Sequence, residues 1–261
     1  MDNFDYLIQA RSEKQPSWKI NRIKVHTSRD DPLIPPVEPS LLVTEIAGLP
    51  SRQLLIDNAS YQVWYAQADQ IPWLLQEIGR LRELTFRQVG EGTGRKADLD
   101  LFDSYYIQLF VWDPIARTVT GGYRLGQSDR IIARYGPKGL YVHSLFRLDS
   151  RLTDELGTAL ELGRSFVTPE HQRNYSSLML LWKGIGAYLV RHPRYRVLYG
   201  PVSISNNYHP VSQHIIVRFL QDTSMEPARA SHERPRKPFR SKHDPSHLVD
   251  LSASDLRIIS T

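Results

Sequence analysis

A chain of 261 residues, 41% hydrophobic and 23% charged, has the size and composition of one sizeable globular domain with tails, or of two small ones. It has no cysteine, which excludes disulfides, thiolate zinc sites and a cysteine nucleophile. The formal net charge of +5 and pI near 9.4 suit a partner that is nucleic acid, anionic lipid or an acidic carrier protein, although much of the excess lies in the C-terminal stretch.

The first ten residues are acidic and short of apolar side chains, and no apolar run reaches the length of a membrane span. The expectation is a cytoplasmic protein with at most surface contact to a membrane. Residues 1–40 carry Pro32, Pro35, Pro36 and Pro39 and read as an extended linker. Residues 41–220 are expected to form the domain. At its start, 40–46 suggests a short helix with Ser40 as N-cap. Residues 61–67 alternate β-formers and predict a strand. Residues 68–86 place Ile71, Leu74, Leu75, Ile78, Leu81 and Leu84 near helical spacing, with Arg80, Arg82 and Arg87 toward the helix end. The stretch 89–103 is glycine-rich and then acidic. Its Gly90, Gly92 and Gly94 follow a helix rather than a strand, which rules out a dinucleotide-binding turn and leaves a flexible loop. Residues 105–113 and 118–125 flank the turn 114–117 and predict a hairpin. Residues 128–139 are polar and irregular, and 141–146 and 149–156 are short ambiguous pieces. The segment 158–167 is an apolar strand, 169–175 a polar loop, and from Ser176 an apolar, helix-periodic run begins. Residues 196–204 predict a further strand and 209–220 a helix. Residues 221–261 are basic and polar and read as a flexible tail. The order predicts a mixed α/β fold around one sheet.

Two polar sets carry chemistry. Glu161 and Arg164 stand three apart in the apolar strand. Such residues point to opposite faces, so the two are not expected to bond each other unless a bulge intervenes. Each then needs another partner, because a buried unpaired charge is costly; Arg82, Arg124, Asp100 and Asp103 are the candidates. The set reads either as a structural ion-pair network or as a site. The second set is the loop 169–175 with its following helix. Backbone N–H groups capped by Ser176, with Arg173 beside them, form either a phosphate-holding helix start or an ordinary capped one.

Arg82-x3-Phe86, Asp100-x2-Asp103, Arg124 in GGYRL and Glu161-x2-Arg164 in ELGRSFV occur in this order. On these motifs the chain, over roughly residues 60–220, resembles the acyl-transferring branch of the GNAT superfamily. That branch holds acyl-homoserine-lactone synthases, N-acyl amino acid synthases and ornithine N-acyltransferases. The stretches ELGRSFV, LLWKGIGAYL and YGPVSISNNY are similar to the hemolysin-like N-acyltransferase half of bacterial proteins that also carry a lysophospholipid acyltransferase domain. The resemblance implies an α/β (α+β) fold, GNAT-like, with a central mixed, mostly antiparallel sheet flanked by helices. The chain departs from the pattern twice. The phosphate loop Gln/Arg-x-x-Gly-x-Gly/Ala is matched by Gln172-Arg173-Asn174-Tyr175-Ser176-Ser177, with no glycine, and residues 221–261 hold no convincing strand pair to close the sheet.

What the resemblance implies chemically is transfer of a long-chain fatty acyl group to an amine, that of an amino acid or an amino-lipid precursor. The donor would be an acyl-carrier protein or acyl-CoA thioester, with no further cofactor and no metal. The donor's phosphopantetheine arm would lie against Gln172, Arg173, Asn174, Tyr175, Ser176 and Ser177. A backbone amide near Phe166, Val167 and Thr168 would polarise the thioester carbonyl. Glu161 would deprotonate the amine. Tyr208, with Tyr199 and Tyr175 as competitors, would serve the departing thiolate. Arg82, Asp100, Asp103, Arg124 and Arg164 would order the acceptor loop. Phe86, Phe110, Phe146 and Trp182 would line an acyl tunnel or else be plain core.

Other readings use other features. An inactive GNAT-like module would bind a carrier protein or a membrane through Lys183, Arg191, Arg194 and Arg196. The basic tail carries no recognition motif, so no specific nucleic-acid binding is expected. His26 and Asp31 show the H-x4-D spacing of glycerolipid O-acyltransferases without an apolar frame. That reaction is therefore not expected of this chain alone, and a lysophospholipid acyltransferase domain would be a partner.

Overall fold

The computed structural model describes residues 30–58, 60–173, 175–205 and 208–239. His26 of the H-x4-D pair lies outside them. Among the described residues the strands are β1 (Leu54–Asp57), β2 (Gln62–Ala66), β3 (Ile107–Asp113), β4 (Thr118–Gln127), β5 (Phe146–Leu148), β6 (Ala159–Val167), β7 (Val197–Tyr199) and β8 (Glu233–Pro235). The helices are α1 (Pro39–Gly48), α2 (Pro72–Gln88), α3 (Ser128–Tyr135), α4 (Tyr141–Leu145), α5 (Ser150–Glu155), α6 (Tyr175–Arg191), α7 (Pro210–Ser224) and α8 (Pro227–Ala230). The main sheet has the order β1-β2-β3-β4-β6-β7. All its neighbours are antiparallel except β6 and β7, which are parallel. This is the mixed, mostly antiparallel sheet flanked by helices that the motifs implied.

β3 shows how the layers form. Alternate side chains of a strand point to opposite faces, and here both faces are covered. Ile107, Leu109 and Val111 pack with Leu181, Ile185 and Tyr188 of α6. Phe110 and Trp112 pack with Leu42 and Ile46 of α1 and Leu74, Ile78 and Leu81 of α2. Burying each of these side chains contributes about 1.5–3 kcal/mol, so the central strand is the most heavily invested part of the sheet. Gly184 lets α6 ride close, since a Cβ there would stand 2.6 Å from Val63 Cγ1. The first turn of α2 has no local cap. Instead Glu45 of α1 accepts from the N–H groups of Trp73 and Leu74, both at 2.8 Å, which satisfies two orphan donors and places a negative charge at the positive end of the helix. No helix among the described residues is long and apolar enough to cross a membrane.

The structure departs from the sequence reading in several places. Residues 128–135 form α3 rather than irregular chain; it is amphipathic, with Ile131 buried, but only eight residues long, too short a run to stand out in a polar stretch. The strand expected over 196–204 stops at Tyr199. A Cβ on Gly200 would collide with the Leu162 carbonyl oxygen, and Pro201 has no N–H for a ladder. The stretch 221–239, read as loose tail, contains the end of α7, α8 and β8. β8 pairs with β5 in a two-stranded ribbon apart from the main sheet. Residues 30–38 are strapped down: Asp31 N–H donates to Gly94 O (2.9 Å), Ile34 N–H to Lys96 O (3.1 Å) and Val37 N–H to Glu77 Oε2 (3.1 Å).

The loop 89–103, expected to be flexible, is also anchored. Glu83 of α2, 0% exposed, accepts from Thr93 N–H (3.0 Å), Thr93 Oγ1 (2.7 Å), Gly94 N–H (2.8 Å) and Arg87 Nε (2.8 Å). Burial works to raise its pKa, but the donors of Thr93, Arg87 and Gly94 outweigh it and hold the group below its ordinary value. A carboxyl whose native pKa is lowered stabilises the fold above its unfolded pKa, and loses that contribution as pH falls through the native value. Glu83→Gln is therefore expected to lose about 1–3 kcal/mol at pH 7. The gap to the parent should close on acidification below the ordinary pKa of 4.5. Urea unfolding midpoints measured from pH 7 downward check both parts.

Candidate active site

The site begins where two strands part. β6 stays paired with β4 to Val167, but β7 meets it only at Ala159, Leu160 and Glu161. Beyond that point the chain after Gly200 leaves the sheet. The gap is an open cleft of about 790 Å³. One wall is residues 163–167 with Gln172, the other residues 201–204, and Phe86, Glu91 and Tyr141 close it between them. Successive amides of a strand point alternately to either side. The N–H of Thr168 donates to Thr120 O on β4 at 2.9 Å. The N–H of Val167 therefore points away from β4, toward the space that β7 vacates. Of the three amides expected to polarise a carbonyl, Thr168's is committed to the sheet and Val167's faces the cleft.

A bulge shapes the same wall. Gly122 pairs with Phe166 and Arg124 with Gly163, so Tyr123 alone opposes Arg164 and Ser165. Such an extra residue bends the strand and re-aims a side chain. Arg164 carries the strain, with φ at +51°, a conformation that a non-glycine residue adopts at a cost. Its side chain emerges on the cleft wall.

Behind that wall lies a buried cluster of six charges. Arg82, 1% exposed, donates from Nη2 to Asp103 Oδ1 (2.9 Å) and to the Asp98 carbonyl (2.7 Å). Arg124, also 1% exposed, meets Asp100 Oδ1 at 2.7 Å and Asp103 Oδ2 at 3.3 Å, with its guanidinium 5.1–5.5 Å from the ring centres of Phe102, Tyr106 and Tyr141. Arg164 reaches Asp98 Oδ2 at 3.4 Å and Asp100 Oδ2 at 3.5 Å. Asp100 and Asp103 form a capping box on the 3-10 turn Leu101–Ser104, and Gln108 of β3 donates to Asp103 (3.1 Å). The carboxylates diverge electrically. Burial pushes Asp98 up, against the pull of Arg82 and Arg164. Burial works the same way on Asp100, but Arg124, then Arg164 and Arg82, outweigh it and hold its pKa down.

Glu161 sits one layer deeper. It is 1% exposed, and its oxygens accept from Tyr106 Oη (2.6 Å), Val142 N–H (2.6 Å) and Tyr141 N–H (3.2 Å). Burial raises its pKa, more than these donors and Arg124 lower it. Glu161 and Arg164 do not pair, as their spacing predicted; they touch through Tyr141, whose amide Glu161 holds and whose ring lies 5.3 Å from the Arg164 guanidinium.

The remaining predicted residues fall at different places. Phe166, Val167 and Gln172 line the cleft, and Gln172 Nε2 donates to Val167 O at 3.0 Å. Arg173 is exposed. Ser177 is fully buried, and among the described residues its hydroxyl has no hydrogen-bond partner. α6 starts at Tyr175, so Ser176 lies within the first turn rather than at the cap. Asn174, and the side chains of Tyr175 and Ser176, lie outside what the structure describes. Tyr208 is 54% exposed and stands apart from the cleft wall, while Tyr199 Oη bonds Ser128 Oγ at 2.8 Å. Of the aromatic tunnel candidates only Phe86 lines the cleft; Phe110 and Phe146 are packed elsewhere, and Trp182 is 49% exposed on α6.

The sequence pattern of the acetyltransferase (GNAT) domain matches residues 81–183, which runs from Leu81, just before Arg82, to the middle of α6. A glycine N(alpha)-acyltransferase of Bacteroides thetaiotaomicron is 35% identical over 201 residues, 72% of this chain and 59% of that protein. A glycine N(alpha)-acyltransferase of Phocaeicola vulgatus is 31% identical over 235 residues, 85% of this chain and 71% of that protein. The chain belongs to the GNAT acyltransferase family. It spans 59% of the length of the first of these relatives. An integron cassette protein from the mobile metagenome of V. cholerae superposes at a TM-score of 0.36 and 11% identity, covering 78% of this chain and 99% of that one; a likeness that low carries no argument.

Three members of the candidate site went unread in the sequence. Asp98 precedes Asp100 in ADLDLFD, where the alternation alone was a signal. Tyr106 and Tyr141 look like ordinary strand and loop aromatics, and only the fold joins them to Glu161. The cluster itself generates a test. Arg82→Ala leaves Asp98 and Asp103 short of a cation in a buried place, and breaking a buried pair in this way costs about 3–5 kcal/mol. Asp98, whose pKa burial already raises against the pull of Arg82, is raised further when Arg82 is lost, so its stability cost appears as pH rises through the native value. The deficit is expected to shrink from pH 7 toward pH 4, read from denaturant unfolding at both.

Proposed function

We propose that this chain transfers an acyl group from a thioester, carried by acyl-carrier protein or CoA, to the α-amine of glycine or an equally small amino acid. The observation that carries the reading is the parting of β6 and β7, which leaves the Val167 N–H aimed into a cleft of ligand size. In this reading the amine nitrogen attacks the thioester carbonyl carbon, the developing oxyanion takes the Val167 N–H, and the C–S bond breaks to release the thiol. The donor arm runs from Val167 toward Gln172 and the start of α6, where the N–H groups of a helix N-terminus favour a phosphate. A long fatty chain suits the apolar wall of Phe86, Leu145, Phe166 and Val202. The two relatives' names, both glycine N(alpha)-acyltransferases, support the acceptor. The finer kinship with ornithine and homoserine-lactone enzymes, the hemolysin-like type, a separate lysophospholipid acyltransferase domain as partner and surface contact with a membrane belong to the same proposal.

Glu161 takes a positioning role in this scheme. Its oxygens are occupied by three donors and it is shielded from the cleft, so it fixes Tyr141, and through that ring Arg164. Glu161→Gln is expected to lower kcat/KM about ten- to a hundredfold through misplacement, with the shape of the pH–rate profile kept. Loss of an inflection from that profile would instead make Glu161 the proton acceptor. The activity itself is tested by mass spectrometry of reactions holding the protein, long-chain acyl-carrier protein or acyl-CoA in parallel, and a pool of amino acids. An N-acylglycine product is expected. A folded protein that binds the donor and yields no N-acyl product would point to an inactive carrier-binding module.

A further inference from the structure

We infer that Arg164 and Glu91 form the acceptor subsite, Arg164 holding the carboxylate and Glu91 the amine of a small α-amino acid; the inference rests on the acyl-transfer reading above. Among the three arginines of the buried cluster, Arg164 alone lines the cleft, with 22% of its side chain exposed against 1% for the other two. Its contacts to Asp98 and Asp100, at 3.4 and 3.5 Å, are long for charge-assisted hydrogen bonds, which run near 2.7–2.9 Å. The guanidinium is charge-balanced but not saturated, and its planar fork of five donors matches a carboxylate. A bulge and a strained φ of +51° aim it there, and Tyr141 supports it from behind.

Glu91 faces the same cleft from another wall. It follows Gly90, whose φ is +73°, and Ser203 Oγ donates to its Oε2 at 2.8 Å from across the cleft. Among the described residues no basic side chain pairs with it. An arginine and a carboxylate that no basic side chain neutralises, in one cleft, form a field of opposite signs that a zwitterion fits. The order along β6 separates the two substrates. Arg164 lies toward the closed end, where β6 and β7 still pair. Val167 lies about 10 Å of strand further on, and α6 lies beyond it. An acceptor held at Arg164 thus presents its amine from one side of the thioester, while the donor arm leaves on the other. The ammonium gives up two protons on the way to the amide, one to the departing thiolate and one through Glu91 to solvent.

The test compares glycine with glycinamide, the same amine without the carboxylate, using the full chain and one acyl thioester. The parent is expected to prefer glycine by about a hundredfold or more in kcat/KM, since a site built to bind a charged group rejects an analogue that leaves its partner unpaired. Arg164→Gln should bring that ratio near one, by losing glycine far more than glycinamide. Glu91→Gln, away from the buried cluster, should raise the KM for glycine about tenfold or more and leave the KM for the thioester unchanged. A parent that uses both amines equally, or an Arg164→Gln enzyme that keeps the preference, overturns the Arg164 assignment. An unchanged glycine KM in Glu91→Gln overturns the other half. Absence of N-acyl product from either amine defeats the acyl-transfer reading itself, a different failure.

Discussion

Arg82, Arg124 and Arg164 lie against Asp98, Asp100 and Asp103, three cations and three anions drawn from α2, β4, β6 and the 89–103 loop. Each contact near 4 Å is worth up to about 4 kcal/mol at a protein-like dielectric, and each buried ion costs several kcal/mol in lost hydration. The two are of one size, so the cluster adds little net stability. What it adds is uniqueness: with signs balanced, no member can leave without stranding another. The loop, which has few apolar residues of its own, is thereby fixed against the sheet, and Glu83 fixes its other end.

The cleft depends on that fixed loop and on a mismatch in β6. The strand must satisfy β4 along its whole length, yet β7 accompanies it for three residues only. Pro201 ends the accompaniment because it has no donor, just after Gly200, where the chain passes Leu162 too closely for any Cβ. The bulge at Arg164 and Ser165 absorbs the change of twist where the partner is lost. An amide and a guanidinium thus reach the same opening from one wall. The strain at Arg164 is tolerated because its surroundings leave the side chain one direction: Asp98 and Asp100 on one side and the Tyr141 ring on the other.

Much of this was legible in the sequence for physical reasons. The hairpin β3–β4, helix α2 and strand β6 announce themselves through alternation or a 3.6-residue period, because each buries a continuous face. Five motif residues, Arg82, Asp100, Asp103, Arg124 and Arg164, were read as one network, and the structure brings them together within ion-pair distance. What the pattern did not carry is tertiary. α3 is amphipathic, but its eight residues make only about two turns, too short a run to stand out in a polar stretch. β1 and β8 are short and take their conformation from a neighbour. Asp98 was not singled out because burial, not spacing, makes it special, and Tyr141 owes its place to Glu161, twenty residues away. Glu91 sat in a glycine-rich loop whose course cannot be read without Glu83 and Ser203.

Burial grades the arginines, and the grading divides their labour. Arg82 and Arg124 are sealed among carboxylates and aromatic rings, where no ligand reaches. Arg164 is the one through which the cluster meets the cleft, so whatever binds there adds to a balance already at zero. A simple anion would bring a fourth negative charge beside Asp98 and Asp100 and would be repelled by them. A molecule that carries its own cation a few bonds from its carboxylate avoids that cost, provided an anion waits for the cation, and Glu91 stands in that position. The same electrostatic economy that holds the loop in place therefore favours a zwitterion over a free fatty acid at the acceptor end. It leaves the apolar wall of Phe86, Phe166 and Val202 to the acyl chain.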